Sequence, residues 1–206
     1  MKLYSKPGAC STADHIALEW AGADYQVEVM TSESLKSPAY LQVNPSGAVP
    51  ALVDGGFTLT QNAAIMGYIA DTHPQAGLAG DGSPRQRAEA TRWLSFVNAD
   101  LHPAFLPLFA PALLGAPDGT PEPLRQATLA RIRGMLEKAD AQLESKDWLA
   151  GFRSFADPYF YMTLRWAGGM GVDLDGLDNA HAFRARIEAD PAVRKVLQAE
   201  GLEPVG

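Results

Sequence analysis

Along the first 80 residues, short apolar–polar alternations exchange with stretches of helical spacing. Lys2-Leu3-Tyr4-Ser5 reads as a short strand and is stopped by Pro7-Gly8. Ala13, Ile16, Ala17 and Trp20 recur every three or four residues, which predicts a helix opened by Ser11 with Asp14 as a capping box and closed by Gly22. Tyr25-Gln26-Val27-Glu28-Val29 reads as a second strand, and the polar stretch from Thr31 to Gln42 as a short irregular helix. Val49–Val53 and Phe57–Thr60 flank Asp54-Gly55-Gly56, a hairpin signal. Asn62 then caps a helix through Ala63–Ala70, which Pro74 closes.

The order is β-α-β, a connection, then β-β-α: a small mixed sheet with helices on its faces, the thioredoxin-like arrangement. Gly77 to Gly82 is small and turn-rich. Beyond it the period turns helical and stays so. Ser83-Pro84-Arg85-Gln86 opens a helix carrying Ala90, Trp93, Val97, Leu101 and Ala104, with Pro103 and Pro107 expected to bend it. After a loop from Pro111 to Pro123, a second long helix places Leu124, Ile132, Met135, Leu136, Ala139 and Leu143 on one side. Ser154 with Asp157 caps a segment, Tyr159 to Ala167, that reads as buried on most sides, and Asp190-Pro191 starts a last helix ended by Gly201. The predicted fold is therefore an α/β thioredoxin-like N-terminal domain over 1–78, a linker over 79–83 and an all-α domain over 84–206.

Composition narrows the functional classes. A net charge of −7 speaks against nucleic acid, which needs a clustered basic face. No apolar run approaches the roughly 18 residues of a membrane span, and the N-terminus lacks a signal-peptide pattern. One cysteine cannot form an internal disulfide, which fits a reducing compartment, so a cytoplasmic location is expected. His15, His73 and His181 have no companion at metal-ligand spacing, and no metal is expected.

The one cysteine carries the most chemistry. Cys10 falls where the first strand breaks into a helix, and the unpaired N–H groups and positive end of a helix N-terminus stabilise a thiolate. Cysteines so placed fall from a pKa of about 8.5 to roughly 3.5–7.5. The competing reading is an inert, buried small hydrophobe. Position alone leaves both open.

Five motifs stand in order along the chain: Ser5-Lys6-Pro7-Gly8-Ala9-Cys10-Ser11, Asn44-Pro45-Ser46-Gly47-Ala48-Val49-Pro50, Thr60-Gln61-Asn62-Ala63-Ala64-Ile65, Asp100-Leu101-His102 and Leu164-Arg165-Trp166-Ala167. Together they resemble the cytosolic glutathione transferases, most closely the bacterial beta class, over essentially the whole length. The resemblance implies glutathione as a co-substrate, with no permanently bound cofactor. It implies Cys10 at the thiol site and His102 facing it across a cleft. It also implies a cis bond between Val49 and Pro50, so that Val49 presents its backbone to the cysteinyl part of glutathione, with Gln61 and Asn62 at the γ-glutamyl end. Ser95 and Asp100 match positions that line the glutathione site partly from the neighbouring subunit of a homodimer, and Phe105, Leu108 and Trp166 match the pocket for a hydrophobic electrophile.

Departures from the family pattern also matter. Gln61-Asn62 stands where the family more often has Glu-Ser, so Gln61 offers no negative charge to a substrate ammonium. Ser154 and Asp157 match the family's folding cap, but Arg153 stands in the place of an apolar staple and Pro158 removes an amide from the first turn. Tyr4 and Ser11 are runner-up hydroxyls for the thiol site. The resemblance implies conjugation of electrophiles to glutathione at an acidified Cys10 site. Monothiol exchange or peroxide reduction are side activities, since Cys10-Ser11-Thr12-Ala13 has no second cysteine. The alternative is a non-catalytic glutathione- or ligand-binding protein that retains the transferase fold.

Overall fold

The computed structural model describes residues 1–205. Its first part is a four-stranded sheet of β1 (Lys2–Ser5), β2 (Gln26–Val29), β3 (Ala51–Asp54) and β4 (Phe57–Thr60) in the order β2-β1-β3-β4. β1 and β2 run parallel, with Leu3 beside Val27, and need the crossover helix α1 (Ser11–Ala21) between them. β3 runs antiparallel to both β1 and β4, and Asp54 pairs with Phe57 across the two-residue turn at Gly55-Gly56. The backbone at Gly55 has φ +58, a conformation that glycine adopts without steric cost. α2 (Pro38–Val43) follows a single 3₁₀ turn at Ser34–Lys36, and α3 (Asn62–Thr72) packs beside α1.

The second part is helical throughout. α4 (Pro84–Ser95) is capped by Ser83, whose Oγ accepts from the Gln86 N–H at 3.3 Å. The Gln86 side chain accepts from the Asp81 N–H and does not close the box on Ser83. α4 runs on through a wider, π-helical turn at Phe96–Leu101 into α5 (His102–Ala104) and, after a kink at Phe105, α6 (Leu106–Phe109). Pro103 and Pro107 each lack an N–H for the preceding turn, so the predicted bend is spread over that stretch. α7 (Glu122–Leu143) buries Ile132, Leu136, Ala139 and Leu143, whereas Leu124, predicted on the same side, is exposed. α8 (Ala156–Met170) is the central helix of this half, with Tyr159, Phe160, Tyr161 and Met162 all inside the core. α9 (Asp178–Ala189), which the sequence reading did not assign, precedes α10 (Pro191–Ala199).

Two cap predictions are corrected, whereas that at α8 holds, as do those at Ser83 and Asp190. Ser11 and Asp14 form no capping box: Cys10 occupies the N-cap, Ser11 Oγ accepts from the Lys6 N–H and lies 3.0 Å from Ser5 Oγ, and Asp14 is fully buried. Asn62 does not cap α3 either, because its side chain turns back toward α1. At α8, by contrast, Asp157 accepts from the Ser154 N–H at 2.7 Å, from Ser154 Oγ at 2.9 Å and from the Leu149 N–H at 3.0 Å. Arg153 lies over the Trp20 ring and near Asp190, so its stem and charge occupy the place of an apolar staple.

The two parts share one core. α1 packs against α8 and α10, and Glu200 just beyond α10 reaches back under the first strand. Its buried carboxylate accepts from Ser5 Oγ and Thr12 Oγ1, both at 2.6 Å, and meets His15 Nδ1 at 2.9 Å. No helix is long and apolar enough to cross a membrane among the described residues.

Candidate functional site at the seam of sheet and helices

A crevice of about 310 Å³ opens where the sheet part meets the helices. Cys10 enters it from the start of α1, Val49 and Pro50 from the loop before β3, Gln61 and Asn62 from the start of α3, and His102 from α5. Six residues predicted from four motifs thus share one wall-to-wall space. The bond between Val49 and Pro50 is cis. Asn44 fixes the approach to it, its Nδ2 donating to the Ala48 carbonyl at 2.7 Å beside the Tyr40 hydroxyl on the same oxygen. Gln61 is exposed with φ +74, a left-handed backbone uncommon for a residue with a side chain.

The thiol is not acidified by its place at the helix terminus. Cys10 Sγ lies 3.8 Å from the Val49 carbonyl, an acceptor that suits S–H and opposes a thiolate. Burial pushes the Cys10 thiol up to about 12, and the Asp14 carboxyl one turn along α1 adds to the rise. The helix N–H groups and Asn62 pull the other way with smaller effect. The expectation of a Cys10 more acidic than a free cysteine is therefore overturned: desolvation outweighs the helix end.

His102 is held by the Tyr159 hydroxyl at Nδ1 and leans on the Trp166 ring, centroid to centroid 4.8 Å. Burial lowers the His102 pKa from the usual imidazole range and raises that of Tyr159, so at neutral pH the ring is uncharged and the phenol keeps its proton. Asn98, one turn before His102, and Tyr159 line the crevice as well. Neither stood out in the sequence. Asn98 carried a signal, since it precedes His102 by four residues on one helical face, and so did Tyr159, whose hydroxyl inside an apolar run needs a partner.

Other predicted residues lie elsewhere. Ser95 and Asp100 are exposed and line a separate hollow of about 490 Å³ with Trp93, Phe96 and Lys138, so within one chain they do not reach the Cys10 crevice. Phe105 is fully buried, stacked at 5.4 Å on Phe109, and has no surface left for a co-substrate. The exposed ring on that side is Phe109, which the sequence reading passed over. Leu108 is partly buried against the core. Trp166 is wedged among His102, Phe105 and Phe109, and its Nε1 donates to the Gly8 carbonyl at 2.7 Å, tying the loop before Cys10 to α8. Tyr4 packs its ring at a tilt against Tyr40, and Ser11 is engaged with Ser5 and Lys6; neither residue lines the crevice. Among the described residues no group of three or more His, Cys, Asp or Glu side chains is placed to hold a metal ion.

Comparison with known proteins places this architecture. The profile of the glutathione S-transferase N-terminal domain matches residues 1–71, and that of the glutathione S-transferase C-terminal domain matches residues 96–191. The chain belongs to the glutathione S-transferase family. It is 50% identical over 203 residues to glutathione S-transferase GST-4.5 of Xanthomonas campestris pv. campestris, covering 98% of this chain and 100% of that one. A glutathione S-transferase from Xylella fastidiosa superposes with a TM-score of 0.93 at 49% identity, over 98% of this chain and 99% of that one. A sphingomonad glutathione S-transferase solved with glutathione gives 0.87 at 41% identity, over 98% and 100%. The bacterial beta class glutathione S-transferase of Sphingomonas chungbukensis gives 0.87 at 39%, over the same shares. The resemblance read from five motifs thus holds across the whole glutathione S-transferase fold.

Proposed function

We propose that the crevice binds glutathione and that the protein transfers electrophilic small molecules onto the glutathione sulfur. The observation that carries this reading is the convergence of Cys10, the cis Val49–Pro50 loop, the start of α3 and His102 on one space, in a fold whose sphingomonad relative was solved with glutathione. The backbone of Val49 pairs with the cysteinyl segment in β-fashion. The free N–H groups at the start of α3 seat the γ-glutamyl carboxylate, with the Gln61 amide beside them. Asn62 contributes only its backbone, because its side-chain amide is spent on Cys10 and Asp14.

Two neutral donors then face the incoming sulfur. The Tyr159 hydroxyl donates to His102 Nδ1, which leaves the Nε2 hydrogen for the ligand, and the Cys10 S–H, turning from the Val49 carbonyl, supplies a second. Donors aimed at an anion in a half-closed crevice lower the glutathione thiol's pKa and raise its reactive fraction at neutral pH. The thiol proton leaves to water. The sulfur attacks the electrophilic carbon, a C–S bond forms, and the leaving group departs with its electron pair. The raised Cys10 pKa supports conjugation over thiol exchange, since exchange needs Cys10 itself as the attacking thiolate.

The electrophile lies against the exposed apolar surface of Phe109 and Leu106. The domain division falls at 79–83, the location is cytoplasmic, and the hollow with Ser95 and Asp100 faces a second copy in a homodimer. Turnover of a chloronitrobenzene with glutathione tests the reading: saturable conjugation supports it, and glutathione binding with no turnover of any aryl or alkyl halide supports the non-catalytic alternative instead.

A further inference from the structure

Asp14 is fully buried on α1, one helical turn beyond Cys10. Its Oδ2 accepts from Asn62 Nδ2 at 2.9 Å, and the same amide nitrogen donates to the Cys10 carbonyl at 2.9 Å. The opposite oxygens, Asp14 Oδ1 and Asn62 Oδ1, are buried with no hydrogen-bond partner. Among the described residues no lysine or arginine pairs with Asp14. The titratable groups around it are Cys10 on its own helix, Tyr159 on α8, and Glu200 beyond α10, which is paired with His15; Asn62 of α3 is neutral. A carboxylate in such surroundings keeps its proton far more readily than one in water. An orphaned pair of polar atoms inside a close-packed seam calls for a role, because each costs stability.

We propose that Asp14 and Asn62 form a positioning pair for Cys10, a buried acid and amide that hold the thiol's end of α1 and place one removable proton beneath the sulfur. While Asp14 carries its proton, the base of the site is neutral and a sulfur anion above it is tolerated. Once Asp14 releases the proton, its fixed negative charge opposes any anion at Cys10. Burial raises the Asp14 pKa well above the ordinary carboxylate range, with Glu200 adding to the rise, and the Asp14 charge in turn raises that of Cys10. The arrangement also accounts for an amide at position 62: a serine there is too short to span both Cys10 and Asp14.

The inference rests on Cys10 facing the bound sulfur in the proposed site, yet its test needs no glutathione. Iodoacetamide alkylation of Cys10, the chain's one cysteine, is followed from pH 6 upward in the ligand-free protein. In the native protein the rate rises with pH, flattens where Asp14 ionises, and then resumes. In Asp14→Asn the plateau disappears, and above its position alkylation is faster by about tenfold, the effect of removing one like charge nearby. Asn62→Ser removes a hydrogen bond that favours ionised Asp14, so its plateau moves to higher pH and keeps the test alive should Asp14→Asn not fold. Variants that lose thermal stability while keeping the native plateau would overturn the proposal. So would a native profile with no plateau. Either failure leaves glutathione turnover, measured separately, untouched.

Discussion

The Glu200 carboxylate offers a sharp test of how the last residues hold the first. Glu200→Ala removes the acceptor for Ser5 Oγ, Thr12 Oγ1 and His15 Nδ1 in one step, all in a region closed to water. Leaving three buried donors without an acceptor costs about 1–3 kcal/mol each, and with partial relaxation about 3–5 kcal/mol in all is expected. For a chain of this length about 1 kcal/mol moves the unfolding midpoint by roughly 2–4 °C, so a fall of about 10 °C is expected. Glu200→Gln keeps one carbonyl acceptor and is expected to fall by less than half of that. Thermal unfolding followed by circular dichroism, at fixed protein concentration because any self-association stabilises the folded form, reads both variants. A Glu200→Ala loss below about 1 kcal/mol, the value of one ordinary neutral hydrogen bond, would refute the view that this carboxylate latches α10 to β1 and α1.

Further expectations follow from the site and the caps. His102→Ala removes a donor to the bound sulfur and lowers kcat with glutathione by about 100- to 1000-fold, the loss expected for one donor to a developing anion; unchanged kcat would remove His102 from the mechanism. Trp166→Phe keeps most of the ring stack but loses the bond to the Gly8 carbonyl, so it loosens the Cys10 loop at a cost of about 1 kcal/mol and raises the KM for glutathione. Burial raises Asp157 from 3.8 to about 7, so the folded chain keeps a proton there that the unfolded chain has released. Its contribution to stability is therefore full below about pH 4 and declines as pH rises toward 7. His102, shifted downward, acts in the opposite sense, favouring the fold as pH rises through its ordinary range near 6.5. In Asp157→Asn the decline between pH 4 and 7 should flatten, as read from denaturant midpoints across that range.

Much of this was legible in the residues, and the rest was hidden for identifiable reasons. The strands announced themselves by alternation and the hairpin by Asp54-Gly55-Gly56, because both are local properties. Cys10, Val49, Pro50, Gln61, Asn62 and His102 were named from motifs and do meet in one crevice. Side-chain direction was the hidden part. Asn62 and Ser11 look like caps in one dimension, but the packing of α1 against α3 and β1 offers them stronger partners than their own helix ends. Phe105 and Phe109 are both apolar and four residues apart; only the tertiary packing buries one and exposes the other. The thiol's acidity was misjudged for a related reason. A helix N-terminus is visible in sequence, whereas the burial that outweighs it, and the acid at Asp14, appear only once α8 closes over α1. α9 escaped because its apolar positions, Ala180, Phe183 and Ile187, are few and set among charges.

The account's central claim is that glutathione occupies the crevice with its sulfur between Cys10 and His102. A crystal structure with reduced glutathione tests it most directly. The account predicts the cysteinyl backbone paired with Val49 and a free sulfur within hydrogen-bonding reach of both Cys10 Sγ and the His102 ring. A tripeptide bound elsewhere, or a sulfur turned away from both side chains, would contradict it.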